Sequence, residues 1–83
     1  MVDSLADTID LMKSSDYRDR FKAEYYQLEY RLVRLKDMIR RWDENGLSFT
    51  PTVNREVYTR QIAAMDSYLK VLKERASYEN INL

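Results

Sequence analysis

Residues 16–42 read DYRDRFKAEYYQLEYRLVRLKDMIRRW. Within this stretch Phe21, Tyr25, Leu28, Leu32, Leu35, Ile39 and Trp42 recur at alternating spacings of four and three. That rhythm is the seam of a helix made to pack along another helix. Neither Gly nor Pro interrupts it, and at about 1.5 Å per residue the helix would be on the order of 40 Å long. The rest of the chain must supply the surface on which the seam lies.

The stretch on the C-terminal side supplies it. Tyr58, Ile62, Met65, Leu69 and Leu72 repeat the same spacings, which predicts a return helix over residues 53–77. Between the two helices, Asn45-Gly46 is a stop signal in which Gly can take the left-handed conformation. Leu47 to Pro51 form the connection, with Phe49 folded back on the hairpin end. Thr50-Pro51 or Thr52 would open the return helix, since Pro is tolerated in a first turn and Thr can cap. So short a connection makes the helices antiparallel neighbours. On the N-terminal side, residues 1–13 place Leu5, Ile9 and Met12 on one face, with Asp3 or Ser4 as cap and Asp7 in the first turn. This helix is too short to stand alone and must lie on the hairpin or on a neighbouring subunit. Ser14, Ser15 and Asp16 separate it from the long helix, assigned to residues 16–45. Residues 78–83, YENINL, read as a frayed or docking tail. The expected fold is therefore all-α: one domain over residues 1–83, with a short N-terminal helix and a long antiparallel two-helix hairpin.

Composition narrows the function. The chain has 83 residues, with 14 basic and 14 acidic side chains that cancel to a formal net charge of zero. A general DNA or RNA binder needs a strong positive field, so a nucleic-acid polymer is not expected as a partner. No apolar run approaches the roughly 20 residues of a membrane span, and no basic region followed by an apolar core opens the chain. A cytoplasmic protein with no membrane partner is expected. Cys and His are both absent. That removes thiol nucleophiles, thiolate metal sites, the commonest general base and the commonest metal ligand. The carboxylates are interleaved with Lys and Arg as solvated helix-face pairs. We expect no enzyme activity, no metal and no cofactor.

A hairpin of this size buries little surface, and without disulfides or metal such scaffolds gain stability by self-association. A second apolar surface is present in the sequence. Tyr26, Tyr30 and Val33 form a stripe beside the main seam, and Val57, Tyr68 and Val71 widen the return helix. Stripes this wide predict an oligomer, although the tyrosines could instead cover the short N-terminal helix.

Aromatic and basic side chains remain as candidates for binding. Tyr17 stands at the start of the long helix, where free N–H groups favour an anion. Arg20 follows one turn later, Arg31 and Arg34 lie near the middle, and Lys70, Lys73 and Arg75 lie late in the return helix. Aromatic faces stack on bases, and Arg forms bidentate bonds to phosphate. A neutral protein with local positive pockets suits a small phosphorylated ligand. The same side chains would also serve a non-enzymatic helical-hairpin adaptor that presents a helix face to a protein partner.

One pattern goes further. Tyr17, Arg20, Glu24, Leu28, Arg31 and Leu35, then after the polar turn Gln61, Met65, Tyr68, Leu72 and Arg75, resemble the phage anti-CBASS cyclic-nucleotide sponges. Their helical hairpin is shared with a sponge that counters the Thoeris system. The resemblance covers residues 17–76. It implies a homohexamer of small helical subunits, without enzymatic activity, in the host bacterial cytoplasm. Such a protein binds cyclic dinucleotides such as cyclic GMP-AMP, and in some members cyclic trinucleotides, and so starves CBASS effectors. By resemblance Tyr17 would stack on a base, and Arg31, where the family pattern usually has Lys, would pair with phosphate. Arg75 would be a lesser ligand-binding position, and Arg20 and Glu24 would either bind ligand or fix the hairpin. A planar fork replaces a point charge at Arg31, which changes the geometry of that contact.

Overall fold

The computed structural model describes residues 2–83. A 3-10 turn over Leu5–Thr8 runs into the short helix α1 (Ile9–Lys13), then α2 (Tyr17–Asp43), then α3 (Arg55–Glu79). The described residues are helices and connections, so the chain is all-helical. Its longest dimension is 43 Å, set by α2. Met1 lies outside the described residues.

The two long helices begin and end where local chemistry satisfies free backbone groups. Asp16 caps α2, its carboxylate accepting the Arg18 N–H at 2.9 Å. Asn54 caps α3, accepting the N–H groups of Glu56 and Val57 at 3.0 and 3.3 Å. Thr50, Pro51 and Thr52, expected to open the return helix, stay in the connection. An Asn directly before the apolar phase begins is as good a cap as Thr, and it stands nearer.

The left-handed residue that ends α2 is Asn45, with φ of 57°, and not Gly46. The Gly46 N–H donates to the Arg41 carbonyl at 2.8 Å, which closes a Schellman turn with Gly46 one place beyond the left-handed position. Asn tolerates that conformation through its short polar side chain. The end of α3 repeats the device. Asn80 has φ of 55°, and the Ile81 N–H donates to the Ala76 carbonyl at 2.9 Å. This turn drives Ile81 back against Ala76, so the tail docks and does not fray. Tyr78 and Glu79, expected in the tail, extend the helix.

The seam packs as its spacing requires. Phe21, Tyr25 and Leu32 of α2 are buried, as are Leu72 and Ala76 of α3, and Tyr58, Ile62, Met65 and Leu69 are half-buried along the same line. Phe21, Tyr25, Leu72, Ala76 and Ile81 form one core cluster at the open end of the hairpin. At the closed end Trp42 meets Tyr58 edge-on, with ring centroids 6.1 Å apart. Arg55 stacks over Trp42 at 5.3 Å and donates through both Nη atoms to Asp43 at 2.6 and 3.1 Å.

The N-terminal segment lies on α2, and its backbone stays apart from that of α3. Its buried residue is Thr8, whose hydroxyl donates to the Leu5 carbonyl at 2.7 Å and accepts from Gln27 Nε2 at 2.8 Å. Ile9 and Met12, expected to face inward with Leu5, are each 46% exposed. The 3-10 turn is the reason. At three residues per turn, Leu5, Thr8 and Leu11 share the inner face, a phase that the four-three spacing misses.

The two positions at the end of α2 give opposite expectations. A Cβ at Gly46 would meet only the Arg41 carbonyl at 3.6 Å, an ordinary contact at ordinary φ. Gly46→Ala should leave the thermal midpoint unchanged or raise stability by up to about 1 kcal/mol, by restricting the unfolded chain. Asn45→Ala should lower it by about 1 kcal/mol, because Ala tolerates positive φ poorly. Equal losses in both variants would contradict this assignment.

Candidate functional site

The N-terminal segment and α3 pack along α2 with their backbones apart, and this leaves a groove floored by α2. Two open clefts make up the groove. One, of about 730 Å³, has Leu5 on one side, Gln61 and Met65 on the other, and the connection from Gly46 to Phe49 at its end. The second, of about 490 Å³, lies between Met12 and Tyr68 and is floored by Arg20, Glu24, Leu28 and Arg31. Arg31 lines both clefts and so stands where they meet.

The floor is a helical stripe. Residues 20, 24, 28, 31 and 35 follow each other at spacings of three and four, so they share one face of α2. Across the groove, residues 61, 65 and 68 line the facing side of α3 by the same rule. A chain of zero formal charge therefore presents Arg20, Arg31, Arg34 and Arg41 in the groove, against two carboxylates, Glu24 and Asp37. Both carboxylates are engaged. Glu24 accepts from the Tyr68 hydroxyl across the groove. Asp37 accepts from Arg40 and pairs with Arg41 at 3.0 Å, and the Arg40 hydrogen bond holds its carboxyl below the usual range.

The four sequence candidates take three different situations. Arg31 is exposed, with no hydrogen bond or ion pair among the described residues. Arg20 lines the second cleft, but its Nη1 donates to the Ser14 carbonyl at 2.8 Å. Ser14 in turn donates to Asp19 at 2.8 Å, so Arg20 helps to pin the turn from α1 into α2. Tyr17 and Arg75 stand together beyond the groove, at the open end of the hairpin. Arg75 Nη2 donates to the Tyr17 hydroxyl at 2.8 Å, and the guanidinium lies 4.9 Å from the Phe21 ring centroid. Lys70 and Lys73 line neither cleft.

Of the second apolar surface, Tyr26 is taken up by the core and by an edge contact with Tyr25, with centroids 5.5 Å apart. Tyr30 lines the larger cleft and carries Arg34 over its ring at 5.7 Å. Val33, Val57, Tyr68 and Val71 remain exposed on the single chain. The groove's second wall was missed in the sequence. Its one signal is the pair Thr8 and Gln27, two uncharged polar residues in otherwise amphipathic helices, which bond to each other and fix the segment. Among the described residues no group of His, Cys, Asp or Glu is placed to hold a metal, and no helix is long and apolar enough to cross a membrane.

Comparison with protein families places the chain. The Sequestin family matches residues 15–78, from the turn before α2 to the last turns of α3. The chain belongs to the Sequestin family, and the match takes in both long helices of the hairpin and every one of the four candidate residues. No curated protein and no solved structure matches the chain.

The environments of Arg20 and Arg31 separate a structural arginine from a free one. Arg20→Ala should lower stability by about 0.5–1.5 kcal/mol, the usual worth of a lost hydrogen bond. Arg31→Ala should change it by less than about 0.5 kcal/mol. Chemical denaturation followed by circular dichroism checks both, and a destabilised Arg31 variant would mean that the guanidinium has a structural partner.

Proposed function

We propose that the protein is a phage anti-defence sponge that binds cyclic di- and trinucleotide second messengers, cyclic GMP-AMP among them, in the host bacterial cytoplasm. Sequestration without chemical conversion would keep CBASS effectors inactive. The observation that carries this reading is the unpaired guanidinium of Arg31 on the floor of a groove of nucleotide dimensions. A neutral chain that concentrates arginines in one groove suits a small anion, since a polymer would need a broad positive face. The family name, Sequestin, denotes sequestration and supports the same reading.

In this scheme Arg31 pairs with a ligand phosphate through its planar fork. Tyr17 offers a ring face to a base. The two residues lie fourteen positions apart on α2, about 21 Å along its axis. That spacing supports a site shared between copies, in which Tyr17 of one subunit and Arg31 of another face the same ligand. Exposed Val33, Val57 and Val71 supply apolar surface for such contacts, and the assembly proposed is a homohexamer. The same exposed valines favour the second reading, a hairpin that docks on a different protein.

Titration calorimetry with a panel of cyclic dinucleotides separates the two. A sponge that competes with effectors should bind at sub-micromolar concentration, at least roughly 8 kcal/mol. Arg31→Ala and Tyr17→Ala should abolish binding while helicity is kept. Absence of binding to every member of the panel would overturn the sponge reading, and binding that survives both substitutions would overturn the site.

A further inference from the structure

Arg75 belongs to the region where the proposed ligand would bind, but its surroundings give it different work from Arg31. Three contacts already use its guanidinium. Nη2 donates to the Tyr17 hydroxyl at 2.8 Å, the plane lies over Phe21 at 4.9 Å, and Nε pairs with Glu79 at 3.5 Å. Phe21 is a core residue at 2% exposure, so the stacking partner is immobile. Glu79 is the last residue of α3, and the turn that follows is closed by the Ile81 N–H and by burial of Ile81. The guanidinium is thus located from below by the core and from behind by a helix end that is itself anchored. Tyr17, by contrast, is 44% exposed and sits in the first position of α2, tilted 54° to Phe21 with centroids 6.3 Å apart. Little besides Arg75 fixes its hydroxyl end.

We infer that Arg75 is a positioning residue. It holds the Tyr17 ring in one orientation as a prepared stacking platform, with Phe21 and Glu79 setting its own geometry, and it makes no contact with ligand phosphate. The inference deepens the sponge reading and rests on it for the role of the platform, while the latch itself is a property of the free protein. An exposed ring on a free rotor loses conformational entropy when a base stacks on it, and a ring already held loses less. The docked C-terminal turn is then part of the binding apparatus, although it lies past the ligand-facing residues.

Two measurements on the full chain test this. In the ligand-free protein with labelled tyrosine rings, Arg75→Gln should shift and average the Tyr17 ring signals and leave those of Trp42-packed Tyr58 in place; unchanged Tyr17 signals would overturn the latch. For binding, 3′,3′-cyclic GMP-AMP is titrated into wild type, Arg75→Gln, Tyr17→Phe and the double variant at several salt concentrations. Each single change should weaken binding about tenfold, as expected for one lost charge-assisted hydrogen bond. The double variant should be no weaker than either single, because both break the same contact. The salt dependence should stay that of wild type, whereas loss of a phosphate contact would flatten it. Multiplied effects, or a flattened salt dependence in Arg75→Gln, would overturn the positioning role. Failure of the wild type itself to bind would overturn the ligand reading, and the ring signals would then still decide the latch.

Discussion

Burial of Leu72 is the contact on which the other features depend. It is fully closed from solvent, in a core cluster that otherwise consists of Phe21, Tyr25, Ala76 and Ile81. The chain has no Cys, and among the described residues no group is placed to hold a metal, so this small cluster and the line of half-buried residues beside it hold α2 against α3. A buried Leu of this kind contributes several kcal/mol, a large part of the stability of a small domain. Surface ion pairs such as Lys36–Asp66 and Arg40–Glu44 add little individually.

The groove follows from how that core is placed. Since the best-buried contacts gather at the open end, α3 occupies one flank of α2 and leaves the other to the N-terminal segment. Thr8 and Gln27 fix that segment by a hydrogen bond rather than by a large apolar area. The floor between them is then a stripe of α2 that its neighbours cover only in part, with Glu24, Leu28 and Leu35 half-buried and Arg20 and Arg31 exposed. Some of the groove's arginines are committed locally, as Arg20 is to Ser14 and Arg41 to Asp37. Arg31 is left over, and a guanidinium without a partner in a concave, half-apolar setting is what an anionic ligand needs.

Much of this was legible in the sequence. The alternating four-three rhythm from Phe21 to Trp42, answered by Tyr58 to Leu72, is a packing requirement that few other arrangements meet. The two long helices run over Tyr17–Asp43 and Arg55–Glu79, where the spacing assigned 16–45 and 53–77. What was not legible depends on local backbone geometry or on contacts remote in sequence. The 3-10 turn rotates Ile9 and Met12 outward and puts Thr8 inside, which no count of apolar spacings reveals. Asn45 takes the left-handed position ahead of Gly46, although glycine is the stronger statistical candidate. The tail docks because Asn80 permits the same turn. In the candidate site, the shared α2 face of Arg20, Glu24 and Arg31 follows from spacing, and Tyr68 faces it from α3. The division of labour between Arg31 and Arg75 does not, because it depends on Tyr17, Phe21 and Glu79 meeting around one guanidinium.

The central claim is that the groove and the platform act together in an assembly that captures an intact cyclic nucleotide. Native mass spectrometry of the purified protein, mixed with a panel of cyclic oligonucleotides, tests it most directly because it reports subunit number and bound mass at once. The account predicts a hexamer that retains cyclic nucleotide of unaltered mass. A monomer with no retained nucleotide, or a product of changed mass, would contradict it.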